Sequence, residues 1–446
     1  MTKRPLFLMV VLLALLSYAV SPSEGADPDP YEIIDEYALV TPEEVESSVE
    51  TLAAYLTKPA KSDEEKARAI YRWIAENVDY DVRIYSRSVT ISGALKKSPE
   101  DVLQERVGVC SDYSSLFWAL CEAAGLECVV ISGYGKGYSY EVGAPILDQN
   151  HAWNAVKIDG TWRLVDTTWG AGYVDGGLKF IQMLEDHYFF APPEDFILDH
   201  LPIDPKWQLL DTPLSKEEFE RLPQTKSSFF RNGLSIVSPN EGIIKAKAEG
   251  PVEIIVSFFA PDDIVASGSL EKDGQKLDRA AFVQKEEGIY RARARTPEPG
   301  DYIFRIYSKL IDDPGVYEGS LFYAINVTSN ATSNATSNVT SNATSNVISG
   351  AVGRIFPSTY SHFQKAGVRL FEPMEGVLET GEPATFRLAV LGAEDVAVVN
   401  GKDWTHLANE EDIFQGDVTL KKGKIQVFAK FFGEKSYQGL LEYEAV

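Results

Sequence analysis

Apolar side chains recur at helical spacing over 43–56, at Val45, Val49, Leu52 and Leu56, and again at Ala67, Ile70, Tyr71 and Ile74. This is the stripe of a helix with one buried face. Ser62 followed by Glu65 predicts an N-cap and capping box for the second of these helices. A third helix is predicted over 111–124, ended by Gly125, after which 128–133 reads as a strand. Alternation over 151–158 and 161–166, joined by Asp159-Gly160, predicts a hairpin. The residues before Pro42 show no such pattern and read as a loose lead-in. The first domain is therefore expected to be α+β, helices first and antiparallel strands after.

Beyond about residue 225 the period changes. Short alternating runs at 252–259, 288–295 and 302–307, separated by Gly, Pro and Asp, predict strands, and the same style returns at 384–391, 416–420 and 424–432. The segment Ser238-Pro239-Asn240-Glu241-Gly242-Ile243 resembles Glu372-Pro373-Met374-Glu375-Gly376-Val377, and in each copy a later strand is followed by an acidic pair, Asp262-Asp263 and Glu394-Asp395. Two β-sandwich modules of one type are expected. Between them a Thr-Ser-Asn-Ala/Val reiteration has no apolar mass to bury. It carries the sequons Asn326, Asn330, Asn334, Asn338 and Asn342, candidate glycan sites in an exported chain; the alternative is an unmodified spacer. The expected division is 1–26 signal peptide, 27–225 catalytic domain, 226–325 first sandwich, 326–350 linker and 351–446 second sandwich.

Charge and targeting narrow the partners. A formal net charge of -24 disfavours nucleic acid and anionic lipid. Lys3 and Arg4, an apolar run from Leu6 to Leu16 and the small residues after it have the three-part form of a secretory signal. The expectation is a secreted or cell-surface protein, the main rival being an uncleaved signal anchor, with no other membrane insertion. Of three cysteines, Cys121 and Cys128 could pair in an oxidising compartment; the preferred reading is two small buried hydrophobes.

The candidate chemistry begins at Cys110, in Gly108-Val109-Cys110-Ser111-Asp112-Tyr113, just ahead of a predicted helix. A helix N-terminus favours an anion and hence the thiolate. His151 opens the first hairpin strand and Asp166 ends the second, so antiparallel pairing can bring them together. A thiol, an imidazole and a carboxylate are nucleophile, base and base-orienter. Trp153 and Trp169 flank these motifs as candidate substrate walls. Asp148, Asp175, Glu185, Asp186, Asp195 and Asp199 have no metal-ligand spacing, and His187 and His200, flanking Tyr188-Phe189-Phe190, read as structural. No metal and no cofactor is expected.

In combination, Gly-Val-Cys110 with Tyr113, Ser132-Gly133-Tyr134, His151-Ala152-Trp153-Asn154, Asp166-Thr167-Thr168-Trp169-Gly170 and Trp207-Gln208-Leu209-Leu210 resemble the transglutaminase-like superfamily, in its kyphoscoliosis-peptidase-like branch, over about 43–225. The resemblance implies a papain-like core with Cys110 as nucleophile, His151 as base and Asp166 as orienter. With two Ig-like β-sandwich modules behind it, the expected protein is an exported cysteine hydrolase. It would cleave peptide or isopeptide bonds of a protein or peptide substrate through a thioester, with a cell-surface ligand as a further partner for the modules. The alternatives are transglutaminase-type cross-linking and a non-catalytic adhesion or scaffold protein.

Overall fold

The computed structural model describes residues 29–86, 97–248, 250–329, 347–349 and 355–446. The expected signal segment 1–26 and the sequons Asn330, Asn334, Asn338 and Asn342 lie outside the described residues.

The expected loose lead-in contains a helix, α1 (Glu32–Leu39). It buries only Ile34 and Ala38, too few for a visible stripe, and is held by an ion pair: Arg68 donates to Asp35 from Nε at 2.8 Å. The expected helix over 43–56 is two pieces, a 3₁₀ turn at Glu43–Ser47 and α2 (Val49–Leu56). Ser48 breaks them by capping the second, its hydroxyl accepting from the Thr51 N–H at 3.2 Å. At α3 (Asp63–Asn77) the Ser62 hydroxyl accepts from the Glu65 N–H at 3.1 Å. Glu65 reaches back to the Lys61 N–H instead of that of Ser62, so the box is half formed. Two further helices follow, α4 (Pro99–Glu105) and α5 (Cys110–Ala123), the latter stopped at Gly125 with φ 77°.

The helices cover a five-stranded antiparallel sheet. Its strands are β1 (Cys128–Gly135), β2 (His151–Ile158), β3 (Thr161–Val165), β4 (Phe189–Ala191) and β5 (His200–Pro202), in the order β4-β3-β2-β1-β5. Asp159 and Gly160 both take positive φ, 49° and 82°, as the two-residue turn between β2 and β3 requires. Leu52, Tyr71, Trp73, Leu116, Phe117 and Leu120 are fully buried between the layers. Each such side chain contributes roughly 1.5–3 kcal/mol.

Two sandwiches follow. The first packs a sheet containing Ile264–Lys272, Gly300–Leu310 and Glu318–Thr328 on one containing Val252–Phe259, Ala281–Glu286 and Ile289–Thr296. The second does the same with Ala393–Asn400, Gly423–Phe431 and Gln438–Ala445 against Pro383–Ala389 and Ile413–Thr419. The internal repeat is structural: the Tyr323 hydroxyl donates to the Pro239 carbonyl at 3.0 Å and the Tyr443 hydroxyl to the Pro373 carbonyl at 3.1 Å.

The linker boundaries differ from the expectation at both ends. Asn326 is not in a linker but in the strand Glu318–Thr328, where it pairs with Asp301 and donates to that carboxylate. Val347–Ser349 pairs with Val252–Phe259, extending the first sandwich. The polar repeat begins inside a strand whose Leu321, Tyr323, Ile325 and Val327 are buried in the sandwich core, so the composition of the repeat alone does not mark the boundary. Among the described residues no helix is long and apolar enough to cross a membrane.

Candidate active site

Cys110 is the first residue of α5, where the leading backbone N–H groups have no intrahelical acceptor. Asp112 fixes this entry. Its carboxylate accepts from the Val109 N–H at 3.0 Å and the Lys97 N–H at 3.3 Å. Gly108 is required here, since a Cβ on it would lie 2.7 Å from that of Asp112. Asn154 ties β2 to the helix, donating from Nδ2 to the Ser114 carbonyl at 3.0 Å. Asn150 clamps the chain ahead of His151 to β1, accepting from the Gly135 N–H at 2.7 Å and donating to the Gly135 carbonyl at 2.9 Å.

These anchors bring the three predicted residues together. His151 Nε2 lies 2.6 Å from Asp166 Oδ2, and the Cys110 thiol acts electrostatically on the same imidazole. With Nε2 engaged by Asp166, Nδ1 is the ring nitrogen left for the thiol. Asn154 opposite Val165 is the last rung of the β2–β3 ladder, so Asp166 meets His151 diagonally rather than directly across. Asp166 caps the short helix Thr167–Gly170, its Oδ1 accepting from the Thr168 and Trp169 N–H groups at 2.8 and 3.2 Å.

A fourth member was not anticipated. His200, from β5, places Nε2 3.0 Å from the same Asp166 oxygen and Nδ1 2.5 Å from Asp199, which also accepts from the Tyr188 hydroxyl at 3.0 Å. His200 was read as structural because it stands beside an aromatic segment. The usable signal was Asp199-His200 itself, a carboxylate next to one of only five histidines. Burial opposes charge on both imidazoles. Even so, Asp166 with the Cys110 contact raises His151 to about 9, and Asp199 with Asp166 raises His200 to about 9. Burial likewise opposes the charge of Asp166, yet the two imidazoles hold its carboxyl well below the usual range. The ligand atoms of His151, Asp166 and His200 lie within 4.8 Å of one another, a spacing a metal could use. The shared oxygen is already satisfied by two imidazole nitrogens.

The candidate walls separate. Trp169 is half-buried, its ring 4.8 Å from that of His151, and it lines a cavity of about 640 Å³. Trp153 is only 1% exposed and packs with Ile131, Ala155 and Phe196 beneath the site. It is core rather than wall, because the rings of Phe196 and His200 pack against it, with centroids 6.0 and 5.0 Å away. Gln104 is exposed, donating weakly to the Glu46 carbonyl at 3.4 Å. Cys121 and Cys128 are buried free thiols, 0% and 5% exposed, the small buried side chains of the preferred reading. The cavity opens beside His151 and has two owners: Lys136, Asn150 and Trp169 from the first domain, Lys226 and Phe322 from the first sandwich.

A papain-like half-domain of helix-borne thiol and strand-borne imidazole and carboxylate, followed by Ig-like sandwiches, defines the class. Residues 50–167 match the model of the transglutaminase-like superfamily, and residues 216–335 that of the KY-like, immunoglobulin-like domain. The chain thus carries a transglutaminase-like domain of the kyphoscoliosis-peptidase-like branch. It is 36% identical to kyphoscoliosis peptidase of Mus musculus over 245 residues, 52% of this chain and 36% of that protein. It is 36% identical to the Lim and transglutaminase domain protein ltd-1 of Caenorhabditis elegans over 313 residues, 65% and 42% of the two chains. Hillarin of Drosophila melanogaster is 32% identical over 318 residues, 64% and 37%. The matched region is less than half the length of each of these relatives.

Proposed function

We propose that the chain is an exported cysteine hydrolase that cleaves peptide or isopeptide bonds by acyl transfer. The observation that carries the reading is the buried His151–Asp166 contact of 2.6 Å together with Cys110 at the first position of α5, a thiol that acts electrostatically on the same imidazole. The Cys110 thiolate attacks the carbonyl carbon, the oxygen taking the electron pair beside the first N–H groups of α5. His151 gives its proton to the departing amine nitrogen as the C–N bond breaks, leaving a thioester. His151 then takes a proton from water as its oxygen attacks, and the thioester opens to acid and thiolate. An amine in place of water would complete a cross-link through the same intermediate. The triad serves both outcomes, and hydrolysis, with water as the acceptor, is the reading preferred here. Export rests on the form of residues 1–26, and the protein or peptide substrate on the acyl chemistry.

The test is alkylation. Iodoacetamide should label Cys110 in preference to Cys121 and Cys128 at mildly acidic pH, and His151→Ala should abolish that preference. Equal, slow labelling of all three thiols at high pH alone would favour a scaffold. Amine incorporation into glutamine with release of ammonia would move the assignment to cross-linking.

A further inference from the structure

The cavity beside His151 pairs its charges unevenly. Its carboxylates are all taken up in direct contacts: Glu185 and Glu318 both meet Arg231, and Asp199 meets His200 and Tyr188. Its two lysines are not. Lys136 is 2% exposed, donates to the Leu222 carbonyl at 3.1 Å and lies 4.5 Å from the Phe219 ring centroid. Lys226 sits over the Phe322 ring, 5.9 Å from its centroid. Among the described residues neither ammonium has a carboxylate within the 4.0 Å of an ion pair. Burial accordingly pulls both below the ordinary lysine value, Lys136 to about 7 and, with Arg305 adding to it, Lys226 to about 8. Thr168 and Thr225, which also line the cavity, carry buried hydroxyls without a hydrogen-bond partner among the described residues. A buried cation held mainly by aromatic rings and carbonyls is a costly arrangement unless something else completes it.

The repeat shows that this arrangement is particular to one place. Aligning Pro239 with Pro373 sets Lys226 opposite Tyr360, whose hydroxyl is satisfied within its own module by Glu442 and Gln426. The fold therefore has no need of an unpaired lysine at this position. A volume of about 640 Å³ lies within the usual span of ligand pockets, about 300–1,000 Å³. The one arginine in contact with its carboxylates, Arg231, is committed to them, so no free guanidinium fork is offered for a phosphate.

We infer that this cavity is the substrate cleft of the Cys110 site and takes a polypeptide segment bearing a carboxylate, held by Lys226 with Lys136, so that the first sandwich sets substrate choice. The inference rests on the hydrolase reading above and adds its substrate class. The carboxylate can be an acidic side chain or a chain terminus.

The test is calorimetric binding to the full chain carrying Cys110→Ala, which needs no turnover. Three acetylated peptides are compared: Ala-Ala-Glu-Ala-Ala-Ala amide, its Gln counterpart as amide, and the Gln counterpart with a free terminal carboxylate. One acidic peptide should bind about tenfold more tightly than the Gln amide, the effect of roughly one ion pair in a partly dry site. The Glu peptide winning assigns a side chain; the free acid winning assigns a terminus. Lys226→Met should erase the preference and Lys226→Arg should keep it, with thermal unfolding confirming that both variants fold. Equal binding of all three peptides, no binding at millimolar concentration, or a preference that survives both Lys226→Met and Lys136→Met overturns the inference. An unactivated thiol in the alkylation experiment would instead overturn the hydrolase reading and leave these binding results standing.

Discussion

The two sandwich modules share a plan and differ in employment. Each buries a tyrosine whose hydroxyl reaches a proline carbonyl, and each has a glycine pressed against the chain entering the module. The first contacts the catalytic domain at several points. Phe230 stacks on His187 with ring centroids 3.7 Å apart, Arg231 reaches Glu185 at 2.5 Å, and Lys226 and Phe322 line the cavity. The second instead packs on the first, through Phe356 and Phe363 against Phe282, and through Arg295, 3.9 Å from the Phe356 ring centroid. The same fold thus serves as part of a site in one copy and as a neighbour's support in the other. A few residues at the module's entry decide which.

The scale for breaking this comparison is set outside both modules. Asp166→Asn should slow Cys110-dependent turnover by about 10²–10⁴-fold, since it removes the group that orients His151. Steady-state kinetics on any peptide turned over by the parent chain would measure it. No module variant should approach that loss if the modules only shape the cleft.

His200 sharpens the boundary of the catalytic group. His200→Gln should lower kcat by about 10–100-fold, as loss of a residue supporting a primary group commonly does. It should also shift the pH profile of Cys110 alkylation, which a merely structural role would leave in place. Stability gives a second readout. Because the folded value of His200 is raised from 6.5 to about 9, its contribution is complete below about pH 6.5 and is lost as pH rises through about 9. The stability of the parent chain should fall across that window, His200 contributing the equivalent of about 3 kcal/mol beside His151, and it should fall less steeply in the variant. A profile and a slope unchanged in His200→Gln would confine the site to three residues.

The paired glycines compare the modules directly. A Cβ on Gly242 would meet the Leu222 carbonyl oxygen at 2.6 Å, and one on Gly376 the Phe356 carbonyl oxygen at 2.1 Å. Gly242→Ala and Gly376→Ala should each destabilise the chain by about 1–3 kcal/mol in denaturant titration. Only the first should also alter acidic-peptide binding, because the Leu222 carbonyl it displaces accepts from Lys136. The mildest pair is Tyr323→Phe and Tyr443→Phe. Each should cost about 1 kcal/mol, the loss of one buried hydrogen bond, with no change in Cys110 alkylation. Unequal costs would mean that the two copies no longer share a core.

Much of the molecule was legible along the chain, for reasons that can be named. Regular apolar spacing reports burial on one face, so α3, α5 and the β2–β3 hairpin were readable, as was the duplicated Pro-x-Glu-Gly entry of the sandwiches. α1 leaves no trace in the apolar pattern because an ion pair, not an apolar stripe, holds it, and the break at Ser48 leaves none because a cap interrupts an otherwise continuous stripe. Asn326 was assigned to the linker because the repeat of small polar residues begins inside a strand.

What the amino-acid order determined by itself was the set of candidate reacting groups. A thiol at a helix start, a histidine opening a strand and an aspartate closing the next are local facts, each fixed by its immediate neighbours. Tertiary structure alone decided that His200 joins Asp166, that Trp153 is core while Trp169 faces the cavity, and that Lys226 of one domain and His151 of another line the same cavity. These depend on apposition between elements far apart in the chain, where packing and the loss of water choose partners and no neighbouring residue carries the signal.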